Sequence, residues 1–418
     1  MSNFKWHLER RLSFNQIYVL KESARVFESA GLDLFLVGGT VRDLLLDLHP
    51  EDLDLVVVGD PNTVDEWILT RGIFGEILSR SQFYTYSFLK DGVNIDLALA
   101  RKEVYDSPGV LPTIEPATIE EDLPRRDFLI NAMAISLNSE TFGDLLDPLG
   151  GRLDLNNQVI RVQHPNSFIE DPTRIFRAVR YSVRLGFSIE DDTFGQIREG
   201  LKYINEVSGD RIREELDKVF QENDVLVMLK VLQDYGVFQL IHHSFGLRNM
   251  IFDNIDETHL AIQKSKNQLF FLAILVFSCT EDDIKKLISR LNMGKIWTRV
   301  VEDVCSVKKV FDCLRTSNIK SSRIYNLLHG LDRISIEACR LLIDDTIIKQ
   351  HLDLYLMELT HEKPLLKGED LISLGIKEGS MMGEILKEIL YARLDGNLSS
   401  EEDERDFVRI RILQLTGN

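Results

Sequence analysis

Residues 34–43 read LFLVGGTVRD, and residues 52–58 read DLDLVVV. The first segment is an apolar strand followed at once by Gly38 and Gly39, which open a predicted helix. Glycine lets the backbone approach a ligand closely, and a helix N-terminus presents N–H groups that attract phosphate. Arg42 lies in the first turn, where we expect its guanidinium to bind the same phosphates. The pattern predicts a phosphate-binding turn between a strand and a helix.

Carboxylates begin the second strand. Asp52 and Asp54 alternate along it, so both side chains project from one face. Asp96 lies between Ile95 and Leu97 in another predicted strand. If the two strands pair, three carboxylates converge beside the glycine turn, and a divalent cation relieves their repulsion. Because Mg²⁺ prefers oxygen ligands, we predict a two-metal phosphoryl-transfer site with Asp52 and Asp54 as metal ligands and Asp96 as the third catalytic carboxylate. The alternative is a set of surface acids at strand ends.

The composition is that of a globular protein. The 418 residues are 44% hydrophobic and 28% charged, which predicts two to four domains and excludes a disordered chain. No apolar run approaches the ~20 residues of a membrane span, and the N-terminus lacks a secretory pattern, so we expect a cytoplasmic protein with no membrane partner. The cysteines have no CxxC spacing and are predicted to be buried thiols in a reducing compartment: Cys279, Cys305, Cys313 and Cys339.

The hydrophobic pattern changes near residue 150. Short β-rich runs alternate with helical stretches before it, whereas amphipathic helices follow one another after residue 165. We therefore predict an α+β protein: a mixed α/β head (1–150) followed by an all-α neck (151–220), body (221–360) and tail (361–418). Residues 102–124 contain four prolines and little periodicity, which indicates either a long ordered excursion or a mobile loop.

Charge is distributed unevenly along the chain. The net charge is −18. Residues 33–150 hold 8 Lys and Arg against 22 Asp and Glu, whereas residues 285–323 hold ten cations against three acids. This polarity suits a chain that binds metal ions at one end and a polyanion at the other. Two solvated faces of opposite sign would explain it equally well.

A helix start combines one acid with three arginines. In EDPTRIFRAVR (170–180), Asp171 is the predicted N-cap and Pro172 the first helical residue. Asp171 and Arg174 are close enough to share a ligand, but the row formed with Arg177 and Arg180 drifts around the helix. A carboxylate accepts from the amino group of cytosine or adenine, while a guanidinium donates to the ring nitrogen. One Asp/Arg pair can therefore select CTP and ATP over UTP and GTP. The alternative is a capping acid beside a row of surface ion pairs.

Together these motifs resemble the class II tRNA nucleotidyltransferase and bacterial poly(A) polymerase family, within the nucleotidyltransferase superfamily. The resemblance rests on GGTVRD, LDLV, RRD (125–127), DPLGG (147–151), EDPTRIFRAVR and SGDRIREEL (208–216). It is weaker in residues 365–396. It implies Mg²⁺-dependent, template-independent addition of CMP and AMP to the 3′ end of tRNA, with release of pyrophosphate.

The resemblance also implies further roles. Gly38, Gly39, Arg42, Arg125 and Arg126 would bind the nucleotide sugar and triphosphate. Asp127 is expected to orient Arg125 and Arg126 by ion pairing. In this family Asp171 and Arg174 would read the base, supported by Arg177 and Arg180, and residues 208–216 would brace the neck.

The product stays open at this stage. Relatives add CCA, only the terminal A, only CC, or poly(A), and all share these motifs. Members restricted to CC addition are thought to lack a functional version of the segment at 102–124, so we rank that product low. Two other classes remain: a catalytically inactive RNA-binding relative, and a nucleotidyltransferase that acts on a small molecule or a protein.

Overall fold

The computed structural model describes residues 3–71, 75–81, 83–249, 251 and 267–416. The chain divides into two compact units, Met1–Leu240 and Ile241–Asn418. The first unit combines a mixed sheet with helices, and the described part of the second is helical. The predicted α+β class is therefore confirmed, with strands concentrated in the N-terminal part and helices in the remainder.

The first unit is built on a seven-stranded sheet in the order β3-β4-β5-β2-β1-β8-β9. Strands β2 and β5 are parallel, and the other neighbouring strands are antiparallel. Outside the sheet, β6 and β7 form an antiparallel ribbon, and β10 and β11 form a short parallel pair. The strands are β1 (Asp33–Val37), β2 (Leu53–Val58), β3 (Glu76–Arg80), β4 (Thr85–Lys90), β5 (Val93–Leu99), β6 (Arg101–Val104), β7 (Thr113–Pro116), β8 (Ala134–Ser136), β9 (Leu145–Leu146), β10 (Val159–Ile160) and β11 (Ser188–Ile189).

Helices surround this sheet and continue beyond it. They are α1 (Lys5–Arg11), α2 (Phe14–Ser29), α3 (Gly38–Leu45), α4 (Pro61–Arg71), α5 (Ile119–Asp122), α6 (Gly151–Asn157), α7 (Ser167–Glu170), α8 (Arg174–Leu185), α9 (Asp191–Gly200), α10 (Gly209–Phe220), α11 (Val225–Asp234) and α12 (Val237–Ile241). Short 3-10 turns cover Leu123–Arg125, Leu129–Asn131 and Leu201–Glu206.

The central strands are apolar along most of their length because they are buried on both faces. In β1 every residue after Asp33 is buried, and β2 is buried at Leu53 and from Leu55 to Val57. One side of the sheet packs a cluster that includes Phe35, Val56 and Leu123. This packing fixes β1 and β2, and with them the glycine turn and the carboxylates at their ends.

Two sequence predictions are decided by the local structure. The segment at 102–124 is the ordered excursion of the two alternatives, because β6, β7 and α5 account for much of it. Helix α8 begins at Arg174, two residues later than the predicted start at Pro172, so Asp171 is not its N-cap. The amide and hydroxyl of Thr173 donate instead to Asp171 Oδ1, at 3.0 and 2.6 Å, in a turn before the helix.

Helices make up most of the described part of the second unit. They cover Leu269–Leu275, Glu281–Arg290, Lys295–Lys309, Phe311–Leu314, Ser321–Leu328, Arg333–Leu342, Thr346–Met357, Gly368–Ser373, Ser380–Leu394 and Glu401–Thr416, with a 3-10 turn at Leu359–His361. The last three helices pack around their own cluster, which includes Leu366, Leu371, Ile389 and Val408. The apolar run around Phe271 is a buried helix, and no helix among the described residues is long and apolar enough to cross a membrane.

The cysteines are all free thiols. Cys279, Cys305 and Cys339 are buried, as predicted, but Cys313 is exposed, so the prediction is wrong at that position. The reason is local, because Cys313 lies in a four-residue helix of which only Leu314 is buried.

Candidate active site

The glycine turn at the end of β1 makes room for three charged side chains. Gly38 has φ 64°, in the left-handed region that favours glycine. A Cβ at Gly38 would lie 3.2 Å from Arg126 Nη1 and 3.4 Å from Asp54 Oδ2. A Cβ at Gly39 would lie 3.4 Å from Asp54 Oδ2 and 3.5 Å from Arg42 Nη2. The two glycines therefore allow one acid and two arginines to close against the start of α3.

The three predicted carboxylates lie close together on one face of the adjacent parallel strands β2 and β5. Asp54 in β2 is the register partner of Asp96 in β5, and neighbouring partners project from the same face. Asp52 precedes β2 by one residue, and its Oδ1 accepts a hydrogen bond from Asn94 Nδ2 at 3.0 Å. Since Asn94 is two residues before Asp96, Asp52 is tied to the face that carries the other two acids. The structure brings all three together.

Neutral groups contact these acids. Ser87 Oγ donates to Asp96 Oδ1 at 2.6 Å, and the Thr40 hydroxyl bonds both the Asp54 amide and the Asp52 carbonyl. No ion pair within 4.0 Å reaches any of the three carboxylates from the described residues. Burial raises the pKa of Asp54, and the charge of Asp96 reinforces the shift, while Arg126 opposes it. A buried carboxylate beside another is a suitable ligand for a cation.

Arg42 is held inside the protein beside this turn. Its side chain is 3% exposed, and its guanidinium contacts Asp43 Oδ1 at 2.7 Å and Asn131 Oδ1 at 2.9 Å. It also lies 5.1 Å from the centre of the Tyr181 ring. Arg42 therefore lines the site with an orientation fixed by the protein's own groups.

A single buried acid holds the two adjacent arginines. Asp122 is fully buried and accepts from Arg125 at 2.7 Å and from Arg126 at 2.9 Å. Glu103, on the ribbon strand β6, makes a second ion pair with Arg125 at 3.0 Å. Burial alone would raise the pKa of Asp122. The guanidinium groups of Arg126 and Arg125 nevertheless hold this pKa below its usual value. Arg126 is thereby fixed close to the glycine turn, and Arg125 is held by the same acid.

The predicted role of Asp127 is wrong. It pairs with Arg177 at 2.6 Å, and its Oδ1 accepts from Asn131 Nδ2 at 3.1 Å. The chain direction explains this, because Arg126 ends a 3-10 turn in extended conformation and the next side chain faces α8. Against the cost of burial, Arg177 keeps the pKa of Asp127 low. Asp127 therefore ties the arginine-rich helix α8 to the segment that follows β7.

Asp171 and Arg174 both line the site, but each is engaged by the protein. Arg174 donates to Ser167 Oγ at 2.6 Å and to the Arg125 carbonyl at 2.9 Å. Asp171 Oδ2 accepts from Arg211 Nη2 at 2.7 Å. Farther along α8, Arg180 contacts Glu215 at 3.4 Å and Glu222 at 3.2 Å.

One open cavity of about 1330 Å³ connects these groups within the first unit. It is lined by every predicted site residue, and also by side chains that sequence reasoning did not assign. Those additional residues include Glu103, Tyr105, Tyr181 and Arg211. Tyr181 had a local signal, because it lies four residues after Arg177 on the same helix, and its hydroxyl accepts from Arg177 Nη2 at 3.2 Å. Glu103 pairs with Arg101 two residues away, but its contact with Arg125 spans 22 residues and has no local signal. Arg211 lies in the motif at 208–216, which is expected only to brace the neck, and its partner Asp171 is 40 residues away.

A second cluster of potential ligands lies in the second unit. His242, His243 and Asp283 bring their ligand atoms within 4.8 Å of one another. The Ser244 amide donates to His242 Nδ1 at 3.3 Å, which leaves the ring proton on Nε2, the atom facing Asp283. Thr280 donates twice to Asp283, lowering its pKa to about 2. We interpret the cluster as a capped helix start, with His242 Nε2 at 3.5 Å from Asp283 Oδ1.

The comparisons with known proteins agree with this architecture. Residues 34–161 match the family described as the poly(A) polymerase head domain, and residues 186–245 match a probable RNA- and SrmB-binding site of polymerase A. An A-adding tRNA nucleotidyltransferase from Halalkalibacterium halodurans is 31% identical over 96% of this chain and 94% of its own length. Another, from Geobacter sulfurreducens, is 30% identical over 95% of this chain, which spans about half (47%) of that relative.

Solved structures similar to this chain include CCA-adding enzymes. An apo form has a TM-score of 0.80 at 28% identity, covering 98% of this chain and 99% of its own. A Thermotoga maritima CCA-adding enzyme complexed with tRNA has a TM-score of 0.77 at 27% identity, with the same coverage. The fold and the carboxylate edge define a nucleotidyltransferase. The chain belongs to the tRNA nucleotidyltransferase and poly(A) polymerase family.

Proposed function

We propose that this protein adds CMP and AMP to the 3′ end of tRNA without a template and releases pyrophosphate. The observation that carries the proposal is the shared cavity. Three carboxylates at one strand edge, a glycine turn that opens a helix, and an Asp/Arg pair all face it. Acids of this kind suit phosphoryl transfer, and the pair suits selection of a base.

Enzymes of this family use a divalent metal, and we propose that the metal here is Mg²⁺. The residues fit such an ion. Asp52, Asp54 and Asp96 offer only oxygen ligands, and burial beside Asp96 makes the charged form of Asp54 costly without a cation. Asp52 and Asp54 would hold the ions, with Asp96 as the third carboxylate. Bound there, Mg²⁺ would supply charge stabilisation to the attacking hydroxyl and the departing pyrophosphate.

The triphosphate would lie between the glycine turn and the two arginines that Asp122 holds. Gly38 and Gly39 present the first N–H groups of α3, and Arg126 lies beside them. Arg125 assists from the same anchor. Arg42 and Arg177 complete this wall, with guanidinium groups fixed by Asp43 and Asp127. Because the protein orders these groups before the nucleotide arrives, binding loses little side-chain entropy.

Base choice would fall to Asp171 and Arg174. A carboxylate that accepts and a guanidinium that donates match the amino group and ring nitrogen of cytosine and adenine. Uracil and guanine present the opposite pattern at these positions and would not complement the two side chains. Arg180 would support this pair and α8 through its contacts with Glu215 and Glu222.

The second unit would bind the body of tRNA. We propose that the head ends near residue 150 and is followed by the neck (151–220), body (221–360) and tail (361–418), with the protein in the cytoplasm. Within the basic stretch at 285–323, Lys308 donates to the carbonyls of Phe277 and Cys279, each at 2.6 Å, and so stabilises the fold. Exposed cations that form no ion pair with the described residues are better suited to phosphate, namely Lys286, Lys295 and Arg323.

A second candidate function is addition of the terminal A alone. It is favoured by the A-adding relative from Halalkalibacterium halodurans, since that organism also has a separate CC-adding enzyme that is 33% identical over 45% of this chain. A CCA-adding enzyme from Lactobacillus helveticus, 27% identical over 91% of this chain, favours complete addition.

The products of single-nucleotide reactions would decide between these functions. The pure protein is incubated with tRNA ending in the discriminator base, in C or in CC, and with each NTP singly. CCA addition predicts CMP incorporation on the first two substrates and AMP on the third. AMP on the third substrate alone would assign A-only addition. Long A tracts on unrelated RNA would assign poly(A) synthesis, and no incorporation would refute the proposal.

A further inference from the structure

Arg211 contacts Asp171, the acid that we propose reads the base. It occupies the first turn of α10, where the Ser208 hydroxyl caps the helix. Its Nη2 donates to Asp171 Oδ2 at 2.7 Å and to Thr173 Oγ1 at 3.4 Å, and its Nη1 donates to the Gly109 carbonyl at 3.1 Å. One guanidinium therefore links α10 to the turn before α8 and to the ribbon turn, by which we mean the residues around Gly109 that join β6 to β7.

These bonds leave Asp171 little freedom. Its Oδ1 accepts from the amide and hydroxyl of Thr173, and its Oδ2 accepts from Arg211. Each carboxylate oxygen has two lone-pair sites, so the protein occupies both on Oδ1 and one on Oδ2. The remaining site on Oδ2 is the one available to a ligand. The side chains of Asp171 and Arg211 are only 16% and 21% exposed, which protects the pair from competition by water.

We propose that Arg211 is a positioning residue for nucleotide selection. It holds the Asp171 carboxylate in one rotamer, so that a single lone pair points to the base. A charge-assisted hydrogen bond of this length fixes direction as well as distance. Without it, the carboxylate can rotate, and its preference for an amino donor over a carbonyl weakens. This inference rests on the proposed function, because it presumes that Asp171 reads the base.

The competing explanation is that Arg211 only braces the first unit. A brace would affect all nucleotides equally, since loosening α10 or the ribbon turn disturbs the whole cavity. A positioning residue instead changes the ratio between nucleotides and acts only while Asp171 is present. The two explanations therefore differ in selectivity and in additivity.

The experiment measures kcat/KM for CTP, ATP, UTP and GTP with tRNA in Arg211→Ala, Asp171→Ala and the double variant. We expect Arg211→Ala to reduce the preference for the best nucleotide over UTP and GTP about tenfold. The KM for tRNA should not change. In the Asp171→Ala background, Arg211→Ala should not lower the preference further. Arg213→Ala is the matched control, because Arg213 pairs with Asp210 on the same helix and does not line the cavity.

Arg211→Lys covers the case in which the alanine variant does not fold. Lysine keeps the charge but reaches Asp171 or the Gly109 carbonyl, not both, so it should retain part of the preference. An equal loss for all four nucleotides, or the same loss with and without Asp171, would overturn the inference and make Arg211 a brace. A wild-type protein that incorporates no nucleotide into tRNA would instead refute the proposed function beneath it.

Discussion

The carboxylates and the arginines that line the cavity handle charge in opposite ways. At the strand edge, Asp52, Asp54 and Asp96 contact hydroxyl and amide groups and form no ion pair with the described residues. Among the arginines that line the cavity, Arg174 donates to Ser167 and to the Arg125 carbonyl. Six others contact an acid of the protein: Arg42, Arg125, Arg126, Arg177, Arg180 and Arg211. No cation in the described part of the chain therefore pairs with the acids, whereas most of the arginines are already neutralised and fixed by acids of the protein. The acids can therefore supply electrostatic energy for binding a cation, while the fixed arginines can supply geometric selectivity for a ligand.

Neutralising a carboxylate should have the largest effect. Asp54→Asn should reduce nucleotide incorporation at least about a thousandfold, because it removes a charge that metal binding requires. The affinity for tRNA should hardly change, and the thermal unfolding midpoint should not fall, since burial already disfavours the charged form of Asp54. Asp60→Asn, beyond the other end of β2, is the control. Substantial Mg²⁺-dependent activity in Asp54→Asn would remove the basis of the comparison.

On the arginine side of the comparison, Asp122→Asn should mainly reduce stability. It leaves Arg125 and Arg126 without their shared buried partner, at a cost of about 3 kcal/mol. The folded pKa of Asp122 lies below its usual value of 3.8, so its stabilisation is present above that value and disappears as the pH falls through the folded pKa. Denaturant unfolding at pH 7 and below pH 4 should show the deficit shrinking in acid. Glu120→Gln, an exposed acid of the same helix, should show no such deficit.

Selectivity should respond more weakly. Asp171→Ala should lose about 1–3 kcal/mol of discrimination between CTP or ATP and the other two nucleotides, while the best nucleotide is used at a comparable rate. The measurement is kcat/KM for each NTP, with Asp192→Ala on the exposed first turn of α9 as the control. If all four values fall together, Asp171 has a structural role.

The smallest effect concerns cations outside the cavity. Reversing Lys286, Lys295 and Arg323 to Glu should weaken tRNA binding and flatten its salt dependence. The log–log slope should decrease by about 0.7–0.9 for each phosphate group that the variant no longer neutralises. Lys309→Glu is the matched comparison, because Lys309 already pairs with Glu281 at 2.6 Å. Equal slopes in wild type and the triple variant would place tRNA on another surface.

The sequence was most informative where function depends on neighbours along the chain. The strand–glycine–helix turn and the alternation of Asp52 and Asp54 follow from local patterns, and the pairing of β2 with β5 supplied the expected position of Asp96. Local patterns did not predict the ion-pair partners of the arginines that line the cavity. Asp127 pairs with Arg177, 50 residues away, and Arg211 reaches Asp171 across 40 residues. Such contacts depend on how helices pack, and neither hydrophobic periodicity nor motif spacing encodes that.

The register between β2 and β5 also fixes the distance between two of the acids. Because Asp54 and Asp96 are paired residues of adjacent strands, their separation is set by the main-chain hydrogen bonds, which hold strands about 4.8 Å apart. Substitutions in the surrounding core can lower the stability of the protein without changing that distance. A shift of one residue in the pairing, however, would turn one acid to the opposite face of the sheet. The spacing of the two acids is therefore inherited from the geometry of the peptide backbone.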